Sequence, residues 1–409
     1  MTDATALAER VLAGDLRLYQ LEDHADPETA AAARRVVLEA ETGITLEESA
    51  EYTFAASDVE ANVENLVGGT QLPLGVAGPL AIDGEAVSDV ADGPAERYLP
   101  LATTEGALIA SVNRGCAAIT AAGGANARVT KSGMTRAPVF RVADVTEGAE
   151  VARWVEDNVD RLAEAAESTT SHGELQEVTP YVVGDNVFLR FSYDTKDAMG
   201  MNMATIATRA ASELIEAETP ASLVALSGNL CSDKKPAAIN AIEGRGRSVT
   251  ADVRIPNDVV RDRLNADPDA IAEANTRKNL VGSAKAGSLG FNAHAANVVA
   301  AVFLAAGQDA AHVVEGSNCI TTIEAREDEL YASVSLASCQ VGTVGGGTGL
   351  PTQAEALELL GVAGGGDPPG QNADALAEIV AAGALAGELS LLAALASRHL
   401  SSAHEELGR

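Results

Sequence analysis

Lysine is scarce in this chain of 409 residues, which has six lysines against 59 aspartates and glutamates. The formal net charge is −31, and 46% of the residues are hydrophobic, which indicates a globular protein with an acidic surface. Such a surface repels itself in dilute buffer, but at molar salt the screening length falls to about 3 Å. The composition therefore predicts adaptation to a salt-rich cytoplasm. An ordinary acidic protein is the alternative.

Several sequence features that would indicate other classes of protein are missing. The four cysteines have no CxxC spacing, so we expect reduced thiols and neither a zinc site nor a disulfide framework. No secretory signal is evident. The apolar stretches near 293–307 and 379–395 are too short, or are interrupted by Glu388, for a membrane span of about 20 residues. A negative protein also repels phosphates. We therefore expect a cytoplasmic protein that binds no metal, nucleic acid or membrane.

The order of the predicted elements indicates an α+β protein with three parts. Residues 138–226 follow a βαββαβ order, typical of a ferredoxin-like domain, and are expected to be inserted in a larger one. Beyond residue 240 the chain is predicted to be mainly helical, around a buried central helix near 292–312. The predicted parts are a small helical N-terminal domain (1–50), a large discontinuous domain (51–137 and 241–409), the inserted domain (138–226) and a joining loop (227–240).

Two predictions concern individual helices. Thr103 and Thr104 are predicted to cap a helix whose apolar positions Leu108, Val112, Cys116 and Ile119 share one face. The last helix is expected to run from about residue 373 to His399, followed by a short polar tail.

Two of the six lysines are adjacent, at Lys234 and Lys235, between Asp233 and Pro236. Apolar runs flank this cluster in the loop 227–240. Because surface lysine is otherwise almost absent, we expect these residues to serve chemistry, and we place the active site here. An ordinary solvent-exposed lysine pair is the alternative.

Many motifs follow one another along the chain in the order of one known enzyme family. They are Glu64-Asn65 with 73–79 (PLGVAGP), 103–106 (TTEG), 133–136 (GMTR), 197–203 (DAMGMNM), 227–240, 292–297 (NAHAAN), 307–309 (GQD) and 342–348 (GTVGGGT). On these motifs, the chain resembles the 3-hydroxy-3-methylglutaryl-coenzyme A (HMG-CoA) reductases over roughly residues 45–405. The motif sequences are closest to those of the biosynthetic, NADPH-using class.

The resemblance implies a four-electron reduction of the HMG-CoA thioester to mevalonate and coenzyme A with two NADPH. Each carbonyl oxygen gains negative charge as its hydride arrives, and Lys234 is the cation expected to stabilise it. Asp309 is implied to tune this lysine, and Glu105 to assist proton transfer to the aldehyde. His404 is implied to protonate the departing thiolate. Read without the resemblance, Asp309 is a helix-end carboxylate, Glu105 a helix-dipole partner and His404 an idle terminal histidine.

The resemblance also implies three sets of binding residues. Substrate contacts are expected from Arg136, Ser227, Asp233, Lys235, Lys278 and Asn297. Coenzyme A contacts are expected from Ser111, Asn113, Arg114 and His294, although Ala117 replaces an arginine common in the family. No GxGxxG motif follows a strand, so a Rossmann site is not expected. Cofactor contacts are expected instead from Thr170, Ser171, His172, Asp197, Met199, Gly200, Met201, Asn202, Gly345, Gly346 and Gly347.

Some alternatives stay open at this point. Relatives commonly have an arginine near residues 170–172 for the adenosine 2′-phosphate, and this chain has none there. An NAD-dependent enzyme of the same family that degrades mevalonate is therefore one alternative. A catalytically silent protein that binds coenzyme A or a nucleotide is another. The resemblance further implies a homodimer or larger homo-oligomer whose active sites are shared between subunits.

Overall fold

The computed structural model describes residues 3–60, 62–87 and 93–407, with side chains described as far as residue 397. Its strands are β1 (Leu74–Gly84), β2 (Ala95–Ala102), β3 (Ala125–Arg136), β4 (Val139–Arg141), β5 (Glu174–Val183), β6 (Asn186–Asp194), β7 (Ser222–Ala225), β8 (Gly246–Pro256), β9 (Cys319–Ala325) and β10 (Glu329–Cys339).

The α-helices are α1 (Ala4–Leu12), α2 (Pro27–Thr42), α3 (Glu47–Ala50), α4 (Ala56–Val59), α5 (Leu108–Ala121), α6 (Val145–Asp157), α7 (Val159–Glu167), α8 (Met201–Glu218), α9 (Ala238–Ile242), α10 (Asn257–Val259), α11 (Pro268–Ala274), α12 (Ser283–Ala286), α13 (Ala295–Ala305), α14 (Val313–Gly316), α15 (Pro351–Leu360) and α16 (Gln371–Leu407). Short 3₁₀ helices span Leu18–Asp23, Ala310–His312 and Gly346–Gly349, and π-helical turns span Val260–Leu264 and Asn275–Gly282.

The N-terminal region is helical, in agreement with its predicted periodicity. Asp26 accepts a hydrogen bond from the Thr29 amide and caps α2, whose first residue is Pro27. Leu7 of α1 and Leu21 form a small core with alanines of α2. Helical structure continues past residue 50 to α4, which joins α2 in a second small cluster. The helices therefore pack in two small groups at the beginning of the chain.

Strand β3 connects the two main hydrophobic cores. Residues 126–133 of β3 pair with β8 in the large sheet, whereas 134–136 pair with β6 in the small one. Around the small core the strand order is β5-β6-β4-β7 and every pair is antiparallel. Helices α6 to α8 complete a ferredoxin-like unit, and the predicted βαββαβ order is confirmed. The helix predicted in the first half is two helices, α6 and α7, separated at Asn158.

The large core contains strands that the sequence interpretation omitted. The strands β8, β10 and β9 are neighbours in the sheet, in that order, in a region expected to be mainly helical. In β8 the buried Val249, Ala251, Val253 and Ile255 alternate with more exposed residues, which is the pattern of a strand with one buried face. The prediction of a mainly helical region after the loop 227–240 therefore omitted three strands, although the alternation in β8 was visible in the sequence.

Helix α5 has the predicted buried face but a different beginning. Leu108, Val112, Cys116 and Ile119 are all buried in the large core. The N-cap is Ala107, in a left-handed conformation and without a side-chain cap, so neither predicted threonine caps the helix. The Thr103 hydroxyl instead accepts a hydrogen bond from the Glu105 amide. This turn leaves Glu105 exposed in front of the helix.

Two apolar helices lie in the large core. Helix α13 is shorter than the predicted helix near 292–312, whereas α16 runs past the predicted end at His399 to Leu407. The segment Gln371–Ser397 is long and apolar enough to cross a membrane, but 83% of its most apolar window is buried inside the fold. Its two buried acids each receive polar partners. The carboxylate of Glu388 accepts the Ala293 and His294 amides, and that of Glu378 accepts the amides of residues 85–87.

Candidate active site

The loop 227–240 holds Lys234 in an uncommon backbone conformation. Asn229, Ser232 and Lys234 have φ angles of 64°, 46° and 56°, in the left-handed region that residues with a side chain rarely adopt. Asparagine tolerates this region, but at Ser232 and Lys234 it costs about 1–2 kcal/mol each and persists only where surrounding contacts impose it. The loop is therefore held in place by contacts with the rest of the protein rather than by its local preferences.

The ammonium of Lys234 contacts the carboxylate of Asp309. The distance from Lys234 Nζ to Asp309 Oδ2 is 2.9 Å, and the two side chains are 45% and 32% exposed. This hydrogen bond raises the pKa of Lys234. Burial by itself would raise the pKa of Asp309, but the bonds from Lys234 and from the Ala311 amide outweigh burial and lower it. At neutral pH the pair is thus a fixed ammonium beside a fixed carboxylate.

A buried group of charges lies behind the loop, and the sequence interpretation missed most of it. Arg245 is fully buried, and its guanidinium contacts the carboxylates of Asp233 at 3.0 Å and of Glu315 at 3.4 Å. His312 Nε2 lies 3.1 Å from Asp233 Oδ1. The hydrogen bond with His312 and the charge of Arg245 hold the pKa of Asp233 far below its usual range, despite partial burial. Potential metal-ligand atoms of Asp233, His312 and Glu315 lie within 4.8 Å of one another, and Arg245 supplies a cation there.

A cleft of about 710 Å³ opens beside Lys234 and Asp309. The beginning of α8 forms one wall, where Gly200 is the N-cap with φ 83° and the predicted residues Met199, Gly200, Met201 and Asn202 line the space. The predicted turn 345–347 forms another wall. A Cβ atom added at Gly345 or Gly346 would meet open space, so the backbone of this turn faces the cleft. The structure thus brings Lys234, Asp309 and most of the predicted cofactor residues to one cavity.

Asp197 has a different environment from the one expected of a cofactor contact. It is buried, and its carboxylate accepts hydrogen bonds from the backbone amides of Gly366, Gly370 and Ala373. These bonds anchor the beginning of α16, where helix amides lack intrahelical partners. Asp197 is not among the residues that line the cleft, whereas the neighbouring Ala198 is. The sequence interpretation expected an acid available to the cofactor.

The loop carrying Thr170, Ser171 and His172 lies close to the cleft. A Cβ atom added at the neighbouring Gly173 would lie 2.3 Å from the Met203 sulfur, and Met203 lines the cleft. Ser171 and His172 are exposed. They remain available to a ligand that extends beyond the beginning of α8.

The other predicted substrate residues are placed in three different ways. Ser227 is the first residue of the loop, and its hydroxyl is 3.5 Å from the Cys231 sulfur. Arg136 lies at the end of β3 and donates two hydrogen bonds to the Thr205 hydroxyl. The Lys235 ammonium donates to the backbone carbonyl of Asp233 at 2.7 Å. Lys278 is exposed on the turn Asn275–Gly282, and no contact with the loop is found among the described residues.

Glu105 lies in a second, smaller cleft of about 370 Å³. Its carboxylate accepts a hydrogen bond from the Asn297 amide at 3.2 Å, and the same amide lies 3.3 Å from His294 Nδ1. Ser111 and Arg114, from α5, also line this cleft, and both contact Ser390 of α16. Asn113 differs, because its side chain accepts the Gly78 amide, which places it beside β1.

The predicted catalytic residues are thus divided between two clefts of one chain. The two clefts have no lining residue in common. Among the described residues, no hydrogen bond or ion pair joins Glu105 to Lys234 or Asp309. The predicted His404 lies in the last part of α16, outside the residues whose side chains are described.

The missed residues left weak signals in the sequence. His312 and Glu315 are three residues apart and follow Asp309 within two turns, a spacing that puts side chains on one helical side. Arg245 stands between two glycines. Gln308 was quoted only as part of a motif, yet its side chain bonds both the amide and the carbonyl of Gly342. Each contact joins distant parts of the chain, which periodicity does not report.

Comparisons with known proteins point to one family. The family model described as hydroxymethylglutaryl-coenzyme A reductase matches residues 30–409. The chain is 75% identical over 408 residues to 3-hydroxy-3-methylglutaryl-coenzyme A reductase of Halobacterium salinarum, covering 100% of this chain and 99% of that one. It is 68% identical over 409 residues to the enzyme of that name from Haloferax volcanii, with both chains fully covered.

A solved structure has the same fold at much lower identity. The class II 3-hydroxy-3-methylglutaryl-CoA reductase of Streptococcus pneumoniae, bound to NADPH in open conformations, superposes with a TM-score of 0.65 at 20% identity. The match covers 93% of this chain and 100% of the other. The α+β fold class predicted from the sequence is confirmed. With the family match over most of its length, the chain belongs to the hydroxymethylglutaryl-coenzyme A reductase family.

Proposed function

We propose that this protein reduces (S)-3-hydroxy-3-methylglutaryl-coenzyme A to mevalonate and coenzyme A, consuming two NADPH, in the mevalonate pathway of isoprenoid lipid synthesis. The observation that carries the proposal is the Lys234–Asp309 pair, 2.9 Å apart, in the cleft lined by the beginning of α8 and the turn 345–347. The two relatives at 75% and 68% identity carry the name of this activity.

NADPH fits the larger cleft. A volume of about 710 Å³ is in the range of small-molecule sites. The beginning of α8 presents backbone amides beside Gly200, which suits a phosphate, and the turn at Gly345 and Gly346 has open space where side chains would stand. When bound, NADPH supplies a hydride to the substrate carbonyl carbon. Residues 170–172 extend this site to the adenosine end, and Asp197 supports it indirectly by anchoring α16.

Lys234 performs the central task in both reduction steps. Its ammonium stabilises the negative charge that develops on the thioester oxygen and later on the aldehyde oxygen. Asp309 keeps the ammonium protonated. The coenzyme A thiolate leaves between the two steps and takes a proton from His404, whereas Glu105 assists proton delivery to the aldehyde oxygen. The hydroxymethylglutaryl group is held by Arg136, Ser227, Asp233, Lys235, Lys278 and Asn297.

We infer that one active site combines the clefts of two copies of the chain. In one copy, Glu105, Asn297, His294 and Arg114 line a cleft that has no residue in common with the cleft of Lys234. Apolar side chains on the neighbouring strands β1 and β2, including Leu74, Val76 and Tyr98, are exposed and available to a second copy. In this arrangement the smaller cleft supplies the coenzyme A contacts and Glu105 to the partner's Lys234.

The activity is tested by substrate-dependent oxidation of NADPH and of NADH by purified protein across a salt series. Turnover with NADPH exceeding that with NADH supports the biosynthetic direction. Preference for NAD and mevalonate would favour the degradative alternative. Absence of turnover at every salt concentration, with ligand binding retained, would favour a silent binding protein. We infer a cytoplasmic location, which the four buried free cysteines support.

Site sharing has its own test, which uses two inactive variants. Lys234→Ala and Glu105→Gln are prepared separately and then co-refolded in equal amounts. If sites are shared in a dimer, half of the dimers are mixed and each has one intact site, so about a quarter of the wild-type activity returns. No recovery, with mixed dimers verified by mass, would contradict the shared site.

A further inference from the structure

The backbone of Lys234 is hydrogen-bonded to Glu315, a residue outside the predicted site. Its amide donates a hydrogen bond to Glu315 Oε1 at 2.5 Å, a contact that spans 81 positions of the sequence. Glu315 is fully buried on α14. A short bond from a backbone donor to a buried carboxylate is stronger than one between neutral groups. Lys234 has a φ of 56°, an unfavourable backbone conformation that this contact helps to maintain.

Arg245 connects Glu315 with the other side of the lysine. Its guanidinium lies 3.4 Å from Glu315 Oε1 and 3.0 Å from Asp233 Oδ1. One buried cation thus compensates two carboxylates, one bonded to the Lys234 amide and the other on the preceding residue. A buried carboxylate without such a partner would cost folding free energy and would take up a proton. Burial does raise the pKa of Glu315, and the Lys234 amide, His312 and Arg245 oppose that rise.

The same short segment also holds the other end of Lys234. Asp309, which bonds the ammonium, caps the turn Ala310–His312 through the Ala311 amide at 3.0 Å. That turn leads directly into α14, which carries Glu315. Residues 309–316 therefore contact Lys234 at its Nζ atom and at its backbone nitrogen. A displacement of either contact would move the ammonium relative to a bound carbonyl.

We propose that Glu315, paired with Arg245, is a positioning residue that holds the backbone of Lys234 so that its ammonium faces the reacting oxygen. The proposal deepens the function proposed above and rests on it. The ammonium must meet the oxygen in both reduction steps, and misplacement by about 1 Å costs on the order of a hundredfold in rate. Glu315 touches neither substrate nor cofactor in this assignment, so its loss acts on kcat and leaves the binding of NADPH intact.

The test compares Glu315→Ala and Glu315→Gln with matched variants at Glu378. Glu378 is also a buried glutamate that accepts backbone amides, from residues 85–87, but it lies away from the loop. Glu315→Ala should lower kcat for both thioester and mevaldehyde by about a hundredfold. Glu315→Gln keeps an oxygen acceptor for the Lys234 amide and should lose less. KM for NADPH should stay within about twofold for both.

The Glu378 variants should lose thermal stability without losing kcat per folded molecule. The proposal is wrong if Glu315→Ala retains kcat within about threefold of wild type, or if variants at both positions lower kcat alike at equal Tm. If Glu315→Ala does not fold, the nearly isosteric Glu315→Gln decides: it should still lower kcat by more than about threefold, and a smaller loss would overturn the proposal. If wild-type protein has no reductase activity, the proposed function fails. A crystal structure of a Glu315 variant then tests positioning separately, and an unmoved Lys234 would overturn it.

Discussion

Replacing Lys234 by alanine tests the chemical role on which the proposed function depends. Alanine keeps the Cβ atom, so the left-handed backbone at this position is strained to the same degree in both proteins. The lost ion pair with Asp309 joins side chains that are 45% and 32% exposed, and such a pair contributes at most about 1 kcal/mol to stability. The variant should therefore remain folded.

The expected loss of activity is much larger than the loss of stability. Removing one preorganised donor to a developing oxyanion costs about 2.7–4 kcal/mol, which corresponds to a decrease in kcat of about a hundredfold to a thousandfold. The ammonium carries a full charge and serves both hydride transfers, so the decrease should reach at least the lower bound for each. Thermal unfolding and NADPH affinity should change little.

The assay follows NADPH absorbance in the presence of the thioester and, separately, of mevaldehyde. Lys285→Ala is the matched control, because Lys285 is an exposed lysine at the end of α12 and outside both clefts. It should retain wild-type turnover. Turnover of Lys234→Ala within about threefold of the control, on correctly folded protein, would refute the role of Lys234 as the cation facing the oxyanion.

Three further results are expected. Asp309→Asn weakens the charge-assisted hydrogen bond that raises the pKa of Lys234 to a bond with a neutral amide oxygen, and it removes the carboxylate charge. The pKa of Lys234 therefore falls, and the high-pH limb of residual kcat should move to lower pH; an unshifted limb would contradict the coupling. His404→Gln should slow thioester reduction more than mevaldehyde reduction, since only the thioester releases a thiolate, and equal losses would count against that role. Gly115→Ala should destabilise the fold by about 1–3 kcal/mol although alanine favours helices. The added Cβ would lie 1.9 Å from the Ala386 carbonyl oxygen of α16, so a denaturation midpoint at or above wild type would contradict the packing.

Local pattern was sufficient for much of the fold. The buried face of α5 and the βαββαβ order of the small sheet follow from periodicities that neighbouring residues impose on each other. Strand β8 had the same kind of signal, in the alternation from Val249 to Ile255, and was overlooked beside the Ala-rich helices. The helix beginning at Leu108 was placed on the wrong cap because Ala107 adopts a left-handed conformation that its residue type does not announce.

The partners of the charged groups were decided by tertiary structure. Asp197 was expected to face a cofactor, but it bonds amides at residues 366–373, far along the chain. Lys234 was identified from the scarcity of lysine, whereas its backbone partner Glu315 was not, because that bond joins positions 81 apart. Sequence spacing reports which residues are neighbours in a helix or a strand. It does not report which buried charges meet when separate elements pack.

The sequence alone determined that this protein is an acidic α+β chain with reductase motifs. It also placed Lys234 and Lys235 in the loop 227–240, among those motifs. Only the packed structure separated Glu105 from Lys234 into two clefts and enclosed Arg245 between Asp233 and Glu315. The physical reason is that motifs and periodicity arise from short-range constraints. The partner of a buried charge, by contrast, depends on which distant element packs within a few ångströms of it in the folded protein.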